Sequence, residues 1–312
     1  MNKLITILVI TACAYYLVVQ YNDKVFQFDS DYLMEQLVHN WVYLLLAACL
    51  LPFNWGIEVV KWKVLIQEFQ DSSWTSMVKS VFSGVALAIA TPNGIGDYAG
   101  RLNGIKQENF TKALASQFIS STSQLIATLG FGAFGWWFLQ PTIKLIFWQD
   151  WYWLMSVVAM LLCLGFFFSF KLDWKIIPRS IRNGKLGNDF VITRKMKLKL
   201  LNLSLIRYCV FATQFCLIAI VFGIDVSLFT LFTAVAVVYL LATLIPTGWL
   251  SSLLVRGSVA FFVFNQIQLG YGEKAILASS VLWCLNLLFP ALLGLYYIRN
   301  VTWLKSKIVQ SK

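Results

Sequence analysis

The chain has 312 residues, of which 59% are apolar and only 12% charged, and its mean hydropathy is +0.72. Soluble domains carry roughly 25% charged residues, so an ordinary water-soluble globule is excluded. Lysine and arginine outnumber aspartate and glutamate by 25 to 14, and in so apolar a chain that excess points to loops facing anionic lipid rather than to nucleic acid. The single His39 and the six cysteines (Cys13, Cys49, Cys163, Cys209, Cys216 and Cys284), none in C-x-x-C spacing, give no metal cluster, redox pair or Ser-His-Asp set, and no P-loop is present. No cofactor is expected, and the cysteines read as small core residues.

Taken in chain order, apolar runs near the roughly 20 residues that cross a bilayer fall at 4–20, 41–60, 113–139, 152–170, 200–222 and 275–298. These predict six full transmembrane helices. The first could be a signal peptide behind Lys3, but Tyr15, Tyr16, Gln20 and Tyr21 close it where small cleavage-site residues belong, so it reads as a retained anchor. Two more apolar stretches, 76–90 and 228–264, are interrupted by Pro and Gly.

Charge orients the spans. The segment Lys171 to Lys199 holds nine basic residues against Asp173 and Asp189, and the C-terminus adds Arg299, Lys305, Lys307 and Lys312. Both belong in the cytoplasm by the positive-inside rule. The loop 21–40 carries Asp23, Asp29, Asp31 and Glu35 against Lys24 alone, which places it and the solvated His39 outside. Both termini are then cytoplasmic. By parity the stretch Met77 to Gly104 enters and leaves from inside, and Leu228 to Phe264 enters and leaves from outside.

The two broken elements are alike. Thr91-Pro92-Asn93-Gly94-Ile95-Gly96-Asp97 leads to Arg101, and Ile245-Pro246-Thr247-Gly248 leads to Arg256. Each is an apolar helix, Pro, Gly two residues later, then Arg. Span, broken helix and span thus recur with opposite orientation over 41–139 and 200–298. The expected fold is a single all-α polytopic membrane domain over 1–312, with six full spans and two re-entrant or broken elements arranged as an inverted repeat. Such repeats put substrate sites near the midplane, where freed backbone groups and half-helix ends can bind ions. Pro92 and Pro246 supply the breaks; Gly94, Gly96 and Gly248 permit positive φ and close backbone approach. Arg101 and Arg256 suit a phosphate or carboxylate through bidentate guanidinium geometry.

Blander readings stand beside these. The breaks can be structural kinks, since Pro and Gly are common in membrane helices. Arg101 can be a cytoplasmic interfacial anchor, whereas Arg256 lies on the face where positive charge is scarce. Asp97 can pair with Arg101 at i, i+4, with proton coupling as an alternative role. The polar third span, with Gln117, Ser120, Ser121, Thr122, Ser123, Gln124 and Thr128, must face protein or a wet cavity. Gly130, Gly132 and Gly135 in it read as close-packing positions. Glu58 and Arg207 are candidate cavity charges, with snorkelling the preferred account, and Asn286 reads as interhelical glue. Trp148, Trp151, Tyr152 and Trp153 form an interfacial belt.

The first motif resembles the T-P-x-x-x-G-[ED]-x-x-x-R element of the transmembrane-region family of lysylphosphatidylglycerol synthases. In the second, Pro246, Gly248 and Arg256 match the pattern, whereas Gly257 stands where that family has an acid and Trp249 to Leu254 replace its Gly-rich turn. The resemblance implies a flippase-like domain that moves a lipid, in the best-known branch an aminoacylated phosphatidylglycerol, between leaflets of the bacterial inner membrane. Synthase activity in full-length relatives resides in a soluble C-terminal domain. This chain ends at Lys312, shortly after its last span, so aminoacyl transferase chemistry is not expected. The implied partner is an anionic or aminoacylated lipid; the alternative is an accessory subunit or enzyme of lipid-linked glycan or polyprenyl-phosphate metabolism, working beside a lipid-modifying enzyme.

Overall fold

The computed structural model describes residues 30–89, 91, 94–143, 151–169, 192–245 and 249–298, with isolated positions at 11, 15 and 18. Nearly all of the first expected span, the loop 170–191, the C-terminal segment 299–312, and Pro92, Pro246 and Gly248 lie outside the described residues. Of what is described, 86% is helical, with no strand.

The chain runs through α1 (Ser30–His39), α2 (Trp41–Cys49), α3 (Leu51–Ile66), α4 (Trp74–Ile89), the one-turn α5 (Gly96–Gly100) and α6 (Phe110–Leu139). It continues through α7 (Tyr152–Ser169), α8 (Arg194–Val221), α9 (Leu228–Leu244), α10 (Trp249–Ile267), α11 (Tyr271–Trp283) and α12 (Phe289–Ile298). Three helical stretches are long and apolar enough to cross a membrane: Trp41–Ile66, Arg194–Val221 and Tyr271–Ile298, of 26, 28 and 28 residues. At 1.5 Å per residue each exceeds the hydrocarbon thickness of about 30 Å. Shorter apolar helices occupy Trp74–Ile89, Trp153–Ser169, Leu228–Leu244 and Ser252–Ile267. The 30-residue α6 has the length of a span, but its polar stretch makes it less apolar than those three.

Local chemistry sets several boundaries. α2 runs into α3 through Leu50, whose backbone stays right-handed, and Pro52 falls in the first turn of α3, where its missing N–H costs nothing. The hydroxyls of Thr193 and Ser227 cap α8 and α9 by accepting from the N–H groups of Met196 and Thr230. Between α11 and α12 the helix widens into a π turn over Cys284–Leu288. Pro290 explains it: proline cannot donate to the carbonyl of Asn286, and the ladder adjusts one turn earlier.

Two segments double back. The chain from Trp74 reverses between Ile89 and Gly96 and returns so that Gln70 Nε2 donates to the Gly104 carbonyl at 2.9 Å and Asn103 Nδ2 to Ser83 Oγ at 2.9 Å. The segment from Leu228 to Ile267 likewise begins and ends at one place, because Tyr271 Oη bonds the Asp225 carbonyl at 3.0 Å and Lys274 Nζ the Gly223 carbonyl at 2.9 Å. α6 connects the two levels. Asn109, at its start, lies against Phe69 beside the first fold-back, while Phe138, near its end, meets Phe229 with ring centroids 5.0 Å apart. The two fold-backs therefore enter the bundle from opposite ends of α6.

Packing against them relies on glycine. On α6, a Cβ added at Gly135 would lie 2.7 Å from the Thr233 carbonyl oxygen and 3.0 Å from Ala236 Cβ on α9. On α12, a Cβ at Gly294 would overlap the Phe82 carbonyl and lie 2.8 Å from Ala86 Cβ on α4. The largest apolar cluster lies where α6, α8, α9, α10 and α11 meet, with Phe131 stacked on Tyr208 at 4.4 Å. A second cluster joins α3, α4 and α12 through Trp55, Val81 and Ala291. Cys49, Cys209 and Cys284 are exposed and only Cys216 is buried among the five described cysteines, all free. The expectation of core cysteines is corrected for those three, which face outward from apolar helices.

Candidate functional site

Glu58 organises the centre. Its carboxylate, 5% exposed, receives Arg101 Nη2 at 2.7 Å and Arg207 Nη1 at 2.8 Å, with Lys61 Nζ 3.6 Å away. Arg101 Nε also donates to Asp97 at 2.9 Å, the i, i+4 pair expected from sequence. Gln117 of α6 donates to the other Asp97 oxygen. α3, α5, α6 and α8 are thus held at one point by charge-assisted hydrogen bonds, which are shorter and stronger than neutral ones.

The first fold-back is shaped to deliver Arg101. Thr91 Oγ1 donates to the Leu87 carbonyl at 2.9 Å and accepts from the Gly96 N–H at 2.7 Å, closing the turn. Gly94 adopts φ 67, a left-handed conformation that glycine takes at no steric cost. Gly96 and Gly100 serve a different purpose, close approach: a Cβ at Gly96 would overlap the Leu87 carbonyl, and one at Gly100 would lie 2.5 Å from the Gly84 nitrogen. Ser80 Oγ accepts from Trp62 Nε1 at 2.8 Å and donates to the Arg101 carbonyl at 2.5 Å, while the Trp62 ring lies 5.3 Å from the guanidinium.

Two cavities open from this centre. The first, about 380 Å³, is lined by Glu58, Lys61, Asp97, Arg101, Gln117, Ser120, Ser121 and Ala88 among others. The second, about 320 Å³, is lined by Asn54, Phe211, Phe215, Tyr239, Arg256, Leu282 and Asn286. Trp55, Gln124, Thr128, Arg207, Thr243 and Leu287 line both, so the two cavities adjoin and together make up the space between the fold-backs. A chain of hydrogen bonds that starts at the Arg207 guanidinium and continues through amides borders it: Arg207 Nε to Asn54 at 3.0 Å, Asn54 to Asn286 at 2.6 Å, Asn286 to Gln214 at 3.1 Å, and Gln214 to the Ala47 carbonyl at 2.9 Å. Asn286 does join helices, as its sequence context suggested. The π turn places it on this string.

The residues singled out from sequence are brought together unequally. Arg101 and Asp97 are locked in ion pairs, and Arg101, only 4% exposed, is no interfacial anchor. Arg256 lies two turns into α10, exposed and without a carboxylate or hydrogen-bond partner among the described residues. It lines the far part of the space and does not meet Arg101 in one cavity. Pro92, Pro246 and Gly248 lie outside the described residues. The preferred snorkelling account of Glu58 and Arg207 gives way, because both are engaged in the interior. Their pairing, with Asn54, was not read from sequence; an acid and an arginine set within apolar spans were its only signal. Both accounts of the polar α6 hold, since Ser123 bonds Ser204 at 2.8 Å while Ser120, Ser121, Gln124 and Thr128 line the space.

What this arrangement can do is hold an anion. It sets Arg101, Arg207 and Arg256 in the lining of two adjoining cavities of a size for a small head group, with apolar side chains beyond. No protein-family model and no curated protein matches the chain.

Proposed function

We propose that the chain is a lipid transporter of the flippase type, moving an anionic or aminoacylated phospholipid, or a related lipid, between leaflets of a bacterial inner membrane. The observation that carries this reading is the pair of adjoining cavities between two fold-backs that enter from opposite ends, with Arg101 lining one, Arg256 the other and Arg207 both. The reading includes an inverted repeat of 41–139 and 200–298 in a bundle of six spans with both termini cytoplasmic. Reciprocal packing supports the repeat: α9 of the second half rests on Gly135 of α6, and α4 of the first half rests on Gly294 of α12. The halves are unequal after the break, where the first has the five-residue α5 and the second the 19-residue α10.

The resemblance of Thr91 to Arg101 to the flippase-like region of lysylphosphatidylglycerol synthases points the same way. A lipid-modifying enzyme or accessory subunit is the weaker reading, because Glu58 and Asp97, its available acids in the space, are both engaged by arginine. The test is movement of head-group-labelled lipids in liposomes holding the purified protein. Arg207→Ala and Arg256→Ala are expected to abolish movement, with Arg256→Ala melting within a few degrees of the parent. Undiminished movement in both variants overturns the site.

A further inference from the structure

The charge count of the space narrows what it can carry, on the reading that this space is the transport site. Lys61, Arg101, Arg207 and Arg256 line it against Glu58 and Asp97, an excess of two positive charges among the described residues. Both carboxylates are already consumed: Glu58 by Arg101, Arg207 and Lys61, and Asp97 by Arg101. Arg256 is exposed, so the surplus held in the interior is that of the three cations gathered on Glu58, and Arg256 adds to it from the rim of the second cavity; an occupant that supplies negative charge is favoured over one that adds positive charge.

The hydrogen-bonding groups of the lining are mixed and give less direction than the charge. Among residues lining the first cavity, Arg101 Nη1, Trp55 Nε1 and Gln124 Nε2 are buried donors with no partner, and Gln117 Oε1 and Gln124 Oε1 are buried acceptors with none. The charged member of that set is the Arg101 guanidinium, which a phosphate oxygen matches and an ammonium does not. Beyond this polar end, Phe211, Phe215 and Leu282 give the second cavity an apolar wall suited to the start of a hydrocarbon chain.

We propose that the site takes a doubly charged phosphate head group, a terminal phosphate monoester borne by a lipid, and discriminates against cationic aminoacylated lipids. A phosphodiester brings one negative charge and leaves one cation unmatched. An aminoacylated head group with net positive charge raises the excess.

The experiment is equilibrium binding to the purified full chain in neutral detergent at pH 8, where a phosphate monoester carries about two charges. The probes are dodecyl phosphate, didecyl phosphate, lysyl-phosphatidylglycerol and inorganic phosphate. Dodecyl phosphate is expected to bind at least tenfold more tightly than the others. Arg256→Gln removes one of the two surplus charges from a residue without a partner, so it leaves the fold intact and is expected to collapse the monoester preference over the diester. Equal affinity for monoester and diester, or tighter binding of the lysyl lipid, overturns the proposal. Inorganic phosphate binding as tightly as dodecyl phosphate overturns the lipid source. Inter-leaflet movement of acyl-labelled phosphatidic acid is measured separately: Arg256-dependent monoester binding without movement removes the transporter and leaves the head-group assignment, while movement of the lysyl lipid without monoester binding does the reverse.

Discussion

Replacing Glu58 by Gln keeps the volume of the side chain and removes the one carboxylate shared by Arg101, Arg207 and Lys61. Breaking a buried pair by deleting one partner costs about 3–5 kcal/mol, since the surviving charge stays desolvated. Arg101 keeps Asp97, so its share of the loss is partial, whereas Arg207 has no other carboxylate among the described residues. The expected destabilisation is therefore about 3–5 kcal/mol. For a chain of this size it lowers the apparent melting temperature by on the order of 10 °C. The assay is thermal unfolding of the purified protein in detergent, followed by tryptophan fluorescence. The double variant Glu58→Gln with Arg207→Gln removes the orphaned guanidinium as well, and its loss is expected to fall short of the summed single losses by about 1–3 kcal/mol. A single variant melting within 2 °C of the parent, or strict additivity in the double, refutes the claim that Glu58 holds the centre.

Two further substitutions bear on the fold-backs. Gly100→Ala forces a Cβ against the backbone of Ser83 and Gly84, neither of which can yield as a flexible side chain would; a cost of about 1–3 kcal/mol and a loss of transport through the displaced Arg101 are expected from melting and liposome assays. Gly257→Ala is expected to be neutral or to stabilise by up to about 1 kcal/mol through helix propensity, because its Cβ would meet only Ile276 Cγ2 at 3.8 Å; a clear loss of stability shows that the position is crowded.

What the sequence disclosed about the centre was its local part. Asp97 and Arg101 are four apart, so any helix turn brings them together, and the pair follows from spacing. The helix ends at Ile89 and Leu244 and the left-handed Gly94 lie at the motifs, whereas Pro92, Pro246 and Gly248 lie outside the described residues. Glu58 and Arg207 are 149 residues apart, and nothing local says that α3 and α8 present them to each other. Each taken alone in an apolar run looks like a residue reaching for the surface, which is why snorkelling outweighed pairing. Gly94 and Gly96 look equivalent in the motif, yet one needs a left-handed backbone and the other needs its missing side chain. The cysteines show the opposite limit: hydropathy marks a residue as shielded from water, and in a membrane chain the outer surface of a helix meets that condition as well as the core.

The distribution of charge along the chain also bears on assembly. Residues before 150 supply a balanced set at the centre, Glu58 and Asp97 with Lys61 and Arg101, linked across at most 43 positions. Arg207 and Arg256 come later and bring no acid with them to that centre. Synthesis runs from the N-terminus, so Glu58 is made before Arg207, and α8 meets this counterion only by docking on α3. The earlier portion is complete in its central charges, whereas the later one depends on it for the carboxylate that Arg207 needs.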